Sequence, residues 1–153
     1  MKKRVGRGRA KAKRRKAPVA STSKLARGAK GHRPLKNSRH HEVGGVTIEA
    51  VAAANGQVKR VVYPPGFRWS THMKPVVGSD LCRHAHLGFL ARGRIEGAYG
   101  DGCSFEFTAP AVVVLEAGHD AWVVGDEAAV LVHFDAEADT ARRFGLADEH
   151  RHR

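Results

Sequence analysis

Residues 82–97 read CRHAHLGFLARGRIEG, a stretch that combines a strand pattern with residue types that bind metals. In an extended strand, the side chains at positions i and i+2 leave from the same face. His84 and His86 would then point the same way, and Cys82 would point with them. The pattern predicts either a set of metal ligands or polar side chains on a hydrated sheet face.

Short apolar runs continue on both sides of this stretch from residue 42 onward, and turn residues separate them. Asn55-Gly56 and Asp101-Gly102 favour the left-handed torsions of tight hairpin turns. Short strands at regular intervals are typical of a β-sandwich or a β-barrel. The sequence therefore predicts one all-β domain over residues 42–140, followed by a helical or disordered segment over residues 141–153.

The first 41 residues have a different composition, with eight lysines, eight arginines and no acidic residue, a charge of +16. Residues 42–153 hold 11 basic and 15 acidic side chains, a net charge of −4. Like-charge repulsion and scarce apolar surface predict a disordered basic tail over residues 1–41. Such a tail binds nucleic acid without reading its sequence, by releasing counterions. A solubilising extension with no such role is the alternative.

Nothing in the sequence indicates export or insertion into a membrane. No stretch approaches the ~20 apolar residues of a membrane span, and the tail lacks the apolar run of a secretory signal. The tail also resembles an organelle transit peptide, although it shows no amphipathic stripe. Cys82 and Cys103 are the only cysteines, and we expect both as reduced thiols in a cytoplasmic protein.

The spacing of glycines and histidines resembles the first motif of the cupin family. Gly66 corresponds to the opening glycine of that motif, His72 to its first histidine and Gly93 to its closing glycine. Lys74 stands at the position of the second histidine, and His86 stands at that of the glutamate. The 11 residues between Lys74 and His86 make a longer segment than the family has there, which indicates an inserted loop.

The second cupin motif is met in part. Gly118 fits it, whereas Glu116 replaces the proline and Ala121 the histidine. His119 stands two residues before that last position and, by the two-residue period of a strand, would face the same way. The resemblance covers about residues 43–135. It implies a single jelly-roll barrel with a site inside its mouth, often with a divalent metal held by histidines and a carboxylate.

The resemblance brings His72, His86 and His119 from three separate strands to one cavity, with His84 as a candidate fourth ligand. Imidazole ligands suit zinc, iron, nickel, cobalt and copper, and manganese also occurs in such centres. Lys74 would repel a dication, and the glutamate that would offset the charge of the metal is missing. A polar pocket without metal is therefore the alternative.

Four further side chains are candidates for the pocket or its chemistry. Trp69 and Trp122, the only tryptophans, would wall a ligand pocket as rigid aromatic groups or pack in the core. Cys82 would line the same pocket. Lys74 is the catalytic candidate, as a proton donor or an anchor for an anion. His133, in VLVHFD, is expected to be a structural strand residue.

These features predict a cupin that binds or senses a small molecule, with a histidine-rich divalent metal site. A metal-dependent oxygenase or isomerase that acts on a small polar substrate is the first alternative. A nucleic-acid-associated protein that uses its basic tail is the second. The resemblance also implies a homodimer, since cupins often dimerise through strand edges and an unpaired edge is a ready template for pairing.

Overall fold

The computed structural model describes residues 33–53 and 56–135, which form nine strands and two short helices. In chain order these are β1 Arg39–Val43, β2 Val46–Ala53, β3 Gly56–Tyr63, α1 Trp69–His72, α2 Lys74–Val77, β4 His86–Arg92, β5 Arg94–Tyr99, β6 Ser104–Thr108, β7 Ala111–Leu115, β8 His119–Val123 and β9 Ala129–Asp135. In this part of the chain, no helix is long and apolar enough to cross a membrane.

The strands form two antiparallel sheets, one in the order β1-β2-β3-β9-β4-β7 and the other in the order β6-β5-β8. Strand β3 pairs with β9, β4 with β7, and β5 with β6. An isolated bridge joins Arg68 to Trp122 of β8. Along the chain the four pairings are nested in the order β3–β9, Arg68–β8, β4–β7 and β5–β6, so that both partners of each pairing lie between the two partners of the pairing before it. Successive pairings belong alternately to the larger and to the smaller sheet. This nested arrangement is that of a jelly roll, so the predicted all-β jelly-roll fold is confirmed.

The core lies between the inner faces of the two sheets. In β7 the alternation is clear, because Val113 is 1% exposed whereas the preceding Val112 is 67% exposed. Leu90 and Leu131 of the larger sheet join Val113 in one buried cluster with Ile95 of the smaller sheet. In β5 and β7 the two-residue period of the side chains thus decides which face of the strand is buried.

Between β3 and β4 the chain adds only two isolated bridged residues, Arg68 and Cys82, to the smaller sheet. Pro64 and Pro65 precede Arg68, and proline has no N–H for a strand ladder. The chain then forms α1 and α2, and α2 ends at Val77, where it is capped by Gly78, whose φ of 72° is left-handed. As a result His72, which was expected on a strand, is the last residue of α1.

The N-terminal boundary of the domain lies before residue 42. Strand β1 begins at Arg39, so residues 39–41, assigned to the tail from composition, are strand residues. The preceding segment is held by two hydrogen bonds, one from Leu35 N to Glu49 Oε1 (3.2 Å) and one from Arg60 Nη2 to the Arg33 carbonyl (2.8 Å). The rest of the predicted tail, and the predicted segment over residues 141–153, lie outside the described residues.

Candidate metal and ligand site

Cys82, His86 and His119 meet at one end of the core. Each offers one ligand atom, and these three atoms lie within 4.8 Å of one another. His86 is the first residue of β4 and His119 the first residue of β8. Cys82 is fixed to β8 by two backbone hydrogen bonds, from Cys82 N to the His119 carbonyl (2.8 Å) and from Gly118 N to the Cys82 carbonyl (2.6 Å). Backbone pairing therefore positions the thiol beside the imidazole of His119.

The hydrogen bond of His119 decides which of its nitrogens can bind a metal. Its Nδ1 lies 2.5 Å from the Glu116 carbonyl oxygen. Because a carbonyl can only accept, Nδ1 must carry the proton and donate it. The lone pair of the neutral ring is then on Nε2. A backbone carbonyl that orients a histidine in this way is a common second partner of metal ligands.

His86 lies between Cys82 and His133. Its Nε2 is 3.3 Å from Cys82 Sγ, and its Nδ1 is 3.3 Å from Nδ1 of His133. A neutral imidazole satisfies both contacts, with one nitrogen donating and the other accepting. When the proton is on Nδ1, this nitrogen donates to His133 and the Nε2 lone pair faces the sulfur. A metal bound between the sulfur and Nε2 requires that tautomer.

Burial keeps all three groups uncharged at neutral pH. It is the largest cause that lowers the pKa of His86 to about 2, with the neighbouring His133 and His119 as further causes. Burial also lowers the pKa of His119, against an opposing effect of its bond to Glu116. The same cause raises the pKa of the Cys82 thiol. The imidazoles are thus ready to bind a metal, whereas the thiol must first lose its proton.

A cavity of about 50 Å³ adjoins His86 and His119. Its walls are mainly aromatic and aliphatic, and they include Tyr63, Phe67, Trp69, Leu115, Trp122 and Leu131. A small molecule in this cavity would contact an apolar wall on most sides and the two imidazoles on one side.

Helix α1 forms part of the cavity wall and is fixed by Asp120. This carboxylate accepts hydrogen bonds from Ser70 N (3.0 Å), Ser70 Oγ (2.9 Å) and Arg68 Nε (2.8 Å). The guanidinium of Arg68 also lies 4.7 Å from the ring centroid of Trp122. These contacts hold Trp69, the first residue of α1, at the cavity. Its indole Nε1 is buried and has no hydrogen-bond partner within the described residues.

The structure brings Cys82 and His86 together but leaves His84 out of the group. Strand β4 begins only at His86, so the two-residue period does not apply to residues 82–85. His84 is exposed, and its carbonyl lies 3.8 Å from the Cys82 sulfur. Cys82 reaches the site through its bridge to His119 rather than along β4.

His72 and Lys74 also lie outside the group and do not line the cavity. The His72 ring stacks on Phe67 with centroids 5.6 Å apart, and its Nδ1 accepts from the Arg68 N–H at 3.0 Å. The Lys74 side chain is 52% exposed and forms an ion pair with Asp80. The inserted helices thus direct both residues away from the imidazoles of the sheets.

His133 lies beside the site, a position that the sequence did not reveal. It is 4% exposed, and β9 places it opposite Gly88 of β4, two residues along from His86. It lies two residues after the buried Leu131, but its neighbours in VLVHFD are apolar as well, so the sequence did not indicate which face is inward. What the sequence could not show is that β9 pairs with β4, since residues 88 and 133 are far apart in the chain.

Comparison with known proteins found no matching family model and no matching curated protein. Several solved structures that match this chain are cupin domains. A cupin-like protein from Thermotoga maritima is 17% identical over 82% of this chain and 96% of its own, with a TM-score of 0.47. A cupin 2 conserved barrel domain protein from Salinispora arenicola is 22% identical over 77% of this chain and 98% of its own, with a TM-score of 0.46. The cupin domain of Cnp3 from Schizosaccharomyces pombe is 16% identical over 71% of this chain and 73% of its own, with a TM-score of 0.44.

Proposed function

We propose that this protein binds a divalent metal ion through Cys82, His86 and His119 and uses it to hold a small molecule in the adjoining cavity. The convergence of three donor atoms within 4.8 Å carries this proposal. His86 and His119 come from strands in different sheets, and Cys82 is fixed by a backbone bridge to His119. All three are at least partly buried, which distinguishes the group from clusters of exposed polar residues.

The donor set fits zinc best among the ions that the sequence suggested. A thiolate is a soft ligand that favours zinc over manganese, and imidazole suits zinc equally well. Three protein ligands leave one position of a tetrahedral zinc ion open, as in centres that bind a further molecule. When bound, the ion would supply Lewis acidity toward an oxygen atom of that molecule.

The surrounding residues prepare the three ligands for this role. The Glu116 carbonyl orients His119, and His133 orients His86. Aromatic and aliphatic side chains line the cavity next to the two imidazoles. These contacts reduce the conformational freedom that the ligands would otherwise lose on binding, which favours affinity.

A binding or sensing function is supported over an enzymatic one by the position of Lys74. As the catalytic candidate it would have to reach a molecule held at the imidazoles, yet it is exposed and paired with Asp80. Binding of nucleic acid by the basic tail and formation of a homodimer stay predictions. Residues 1–32, which carry most of the tail charge, lie outside the described residues.

Titration of the full-length, metal-free protein with zinc tests the proposal. We expect one equivalent to bind, with competition by a chelator giving the affinity. The protein must be prepared without a metal-affinity tag, so that no histidine tag contributes to the binding. Binding of less than about a tenth of an equivalent would overturn the proposal, because a zinc ion held by a thiolate and two imidazoles should bind tightly enough to saturate the site.

Zinc binding at neutral pH should release close to one proton from Cys82. Burial raises the pKa of this thiol, so the thiol is protonated before the metal binds and a thiolate afterwards. The lowered pKa of His86 means that no proton leaves that imidazole at neutral pH. Calorimetry in buffers of different ionisation enthalpy counts the protons released.

The matched control for this prediction is the second cysteine. Cys103 is free and exposed, so Cys103→Ser should release the same number of protons as the wild type. Cys82→Ser should bind zinc more weakly and release almost none. Equal proton release by Cys82→Ser and the wild type would show that the thiol is not a ligand.

A further inference from the structure

The outer face of the larger sheet carries an apolar patch on β9, β4 and β7. The patch consists of four residues, whose exposed fractions are 39% for Phe89, 67% for Val112, 44% for Val114 and 47% for Phe134. Val112 and Val132 both pair with Phe89, one from β7 and one from β9, so these three side chains lie side by side on one face. Phe134 and Val114 continue this face, each two residues along its strand. A contiguous exposed apolar surface of this kind marks a site of contact with another segment or another protein.

The same face is covered at its other end by the chain itself. One row of paired residues crosses the sheet from Glu49 of β2, which is 3% exposed, to Val112 of β7, which is 67% exposed. At the buried end of this row, Leu35 N donates to the Glu49 carboxylate, and Arg60 donates to the Arg33 carbonyl. The segment before β1 therefore covers part of the outer face, whereas the described residues leave the apolar patch exposed.

The apolar patch is too small to hold a second copy of the chain. An aromatic side chain buries ~200 Å², so with exposed fractions of 39–67% the four residues offer no more than about 400 Å². Each partner in a stable complex buries about 800 Å². A segment of the same chain needs less area, because the covalent link gives it an effective concentration of about millimolar.

We propose that residues 136–153, which follow β9, dock on the apolar patch through Phe144 and Leu146. These two are the only large apolar residues of that segment. Docking removes apolar surface of the segment and of the sheet from water at the same time, which stabilises the contact. Arg60, which lies in the same row as part of the patch, is already paired with Glu49 and does not oppose an apolar partner. This inference does not depend on the metal site.

The position and the length of this segment suit the patch. The segment begins beside the patch, because Asp135 ends β9 and directly follows Phe134. The nine residues from Asp135 to Phe144 span about 13 Å when helical and up to about 30 Å when extended. Val114 lies two strands away from β9 in the sheet, a distance of about 10 Å. Phe144 can therefore reach the far side of the patch.

Thiol labelling of the full-length protein with a maleimide tests this docking. Cys103→Ser provides the background, since it removes the exposed cysteine and leaves the buried Cys82. In this background Val112→Cys places a thiol on the patch, and Ser104→Cys places one at an exposed position on β6 of the other sheet. A docked segment should make labelling at position 112 at least about tenfold slower than at position 104, because the thiol reacts only while the segment is detached.

Two aspartates in the segment should remove this protection. With Phe144→Asp and Leu146→Asp combined, position 112 should react about as fast as position 104, because a carboxylate is not buried against an apolar face. His150→Asp combined with His152→Asp introduces the same charges without changing the apolar pair, so labelling should stay slow. Both variants should bind zinc as the wild type does, since the patch lies on the opposite face of β4 from His86.

The outcomes distinguish the possible occupants of the patch. Equal rates at positions 112 and 104 with the segment unaltered would show that nothing covers the patch and would overturn the inference. Slow labelling at position 112 that Phe144→Asp and Leu146→Asp do not accelerate would overturn it as well. Slow labelling that becomes faster on dilution would assign the patch to a second copy of the chain instead, since only a contact between molecules depends on concentration. None of these results bears on the metal site, which the zinc titration tests.

Discussion

Replacing His86 with alanine should lower the affinity for zinc by more than about 100-fold. Loss of a residue that merely orients a metal ligand typically costs 10–100-fold, so loss of a ligand costs more. His86 is the central member of the group, since its Nε2 is 3.3 Å from the Cys82 sulfur and its ring centroid is 5.1 Å from that of His119. Chelator competition on the folded variant, with circular dichroism to verify the fold, provides the measurement.

Two histidine variants are matched controls for this prediction. His84→Ala removes an exposed imidazole only two residues away, and it should retain wild-type affinity. His72→Ala removes the imidazole that corresponds to a ligand in the cupin motif. In the structure this ring stacks on Phe67 instead. We expect the variant to retain wild-type affinity too. If His72→Ala abolished binding while His86→Ala did not, the group of Cys82, His86 and His119 would be the wrong site.

The metal-free protein should lose stability as the pH falls below ~6.5, the ordinary pKa of histidine in an unfolded chain. In the folded protein the pKa of His86 is lowered to about 2, mainly by burial. Between these two values the unfolded chain binds a proton that the folded protein does not. The free energy of unfolding therefore rises with pH in this window and falls toward acid, by about 1.4 kcal/mol per pH unit. At pH 5 the free energy of unfolding is therefore lower than at neutral pH by about 2 kcal/mol from His86 alone.

Denaturant unfolding at several pH values between 7.5 and 5, in the presence of a chelator, measures this dependence. His86→Gln removes the titrating group and should give a shallower loss of stability toward acid. His84→Ala should keep the wild-type dependence. The same dependence in His86→Gln as in the wild type would show that the buried imidazole is not its cause.

The strands could be predicted from the sequence because their signal is local. Alternation of apolar residues, as in Ser104–Thr108, and turn residues such as Asp101-Gly102 identify a strand without knowledge of its partner. The resemblance to the cupin motifs also implied that His86 and His119 lie at one site, and the structure brings them together. Local patterns failed where the chain is not a strand, at His72, His84 and Lys74.

The amino-acid sequence alone determined the all-β class, because short apolar runs and turn residues depend on neighbours within a few positions. The resemblance to the cupin motifs added the expectation that His86 and His119 lie at one site. Only the tertiary structure decided that Cys82 completes the group and that His133 supports His86. Each of these depends on a contact between segments far apart in the chain, such as the bridge from Cys82 to His119 and the pairing of β9 with β4. The packing of the two sheets specifies those contacts, and a one-dimensional pattern does not contain them.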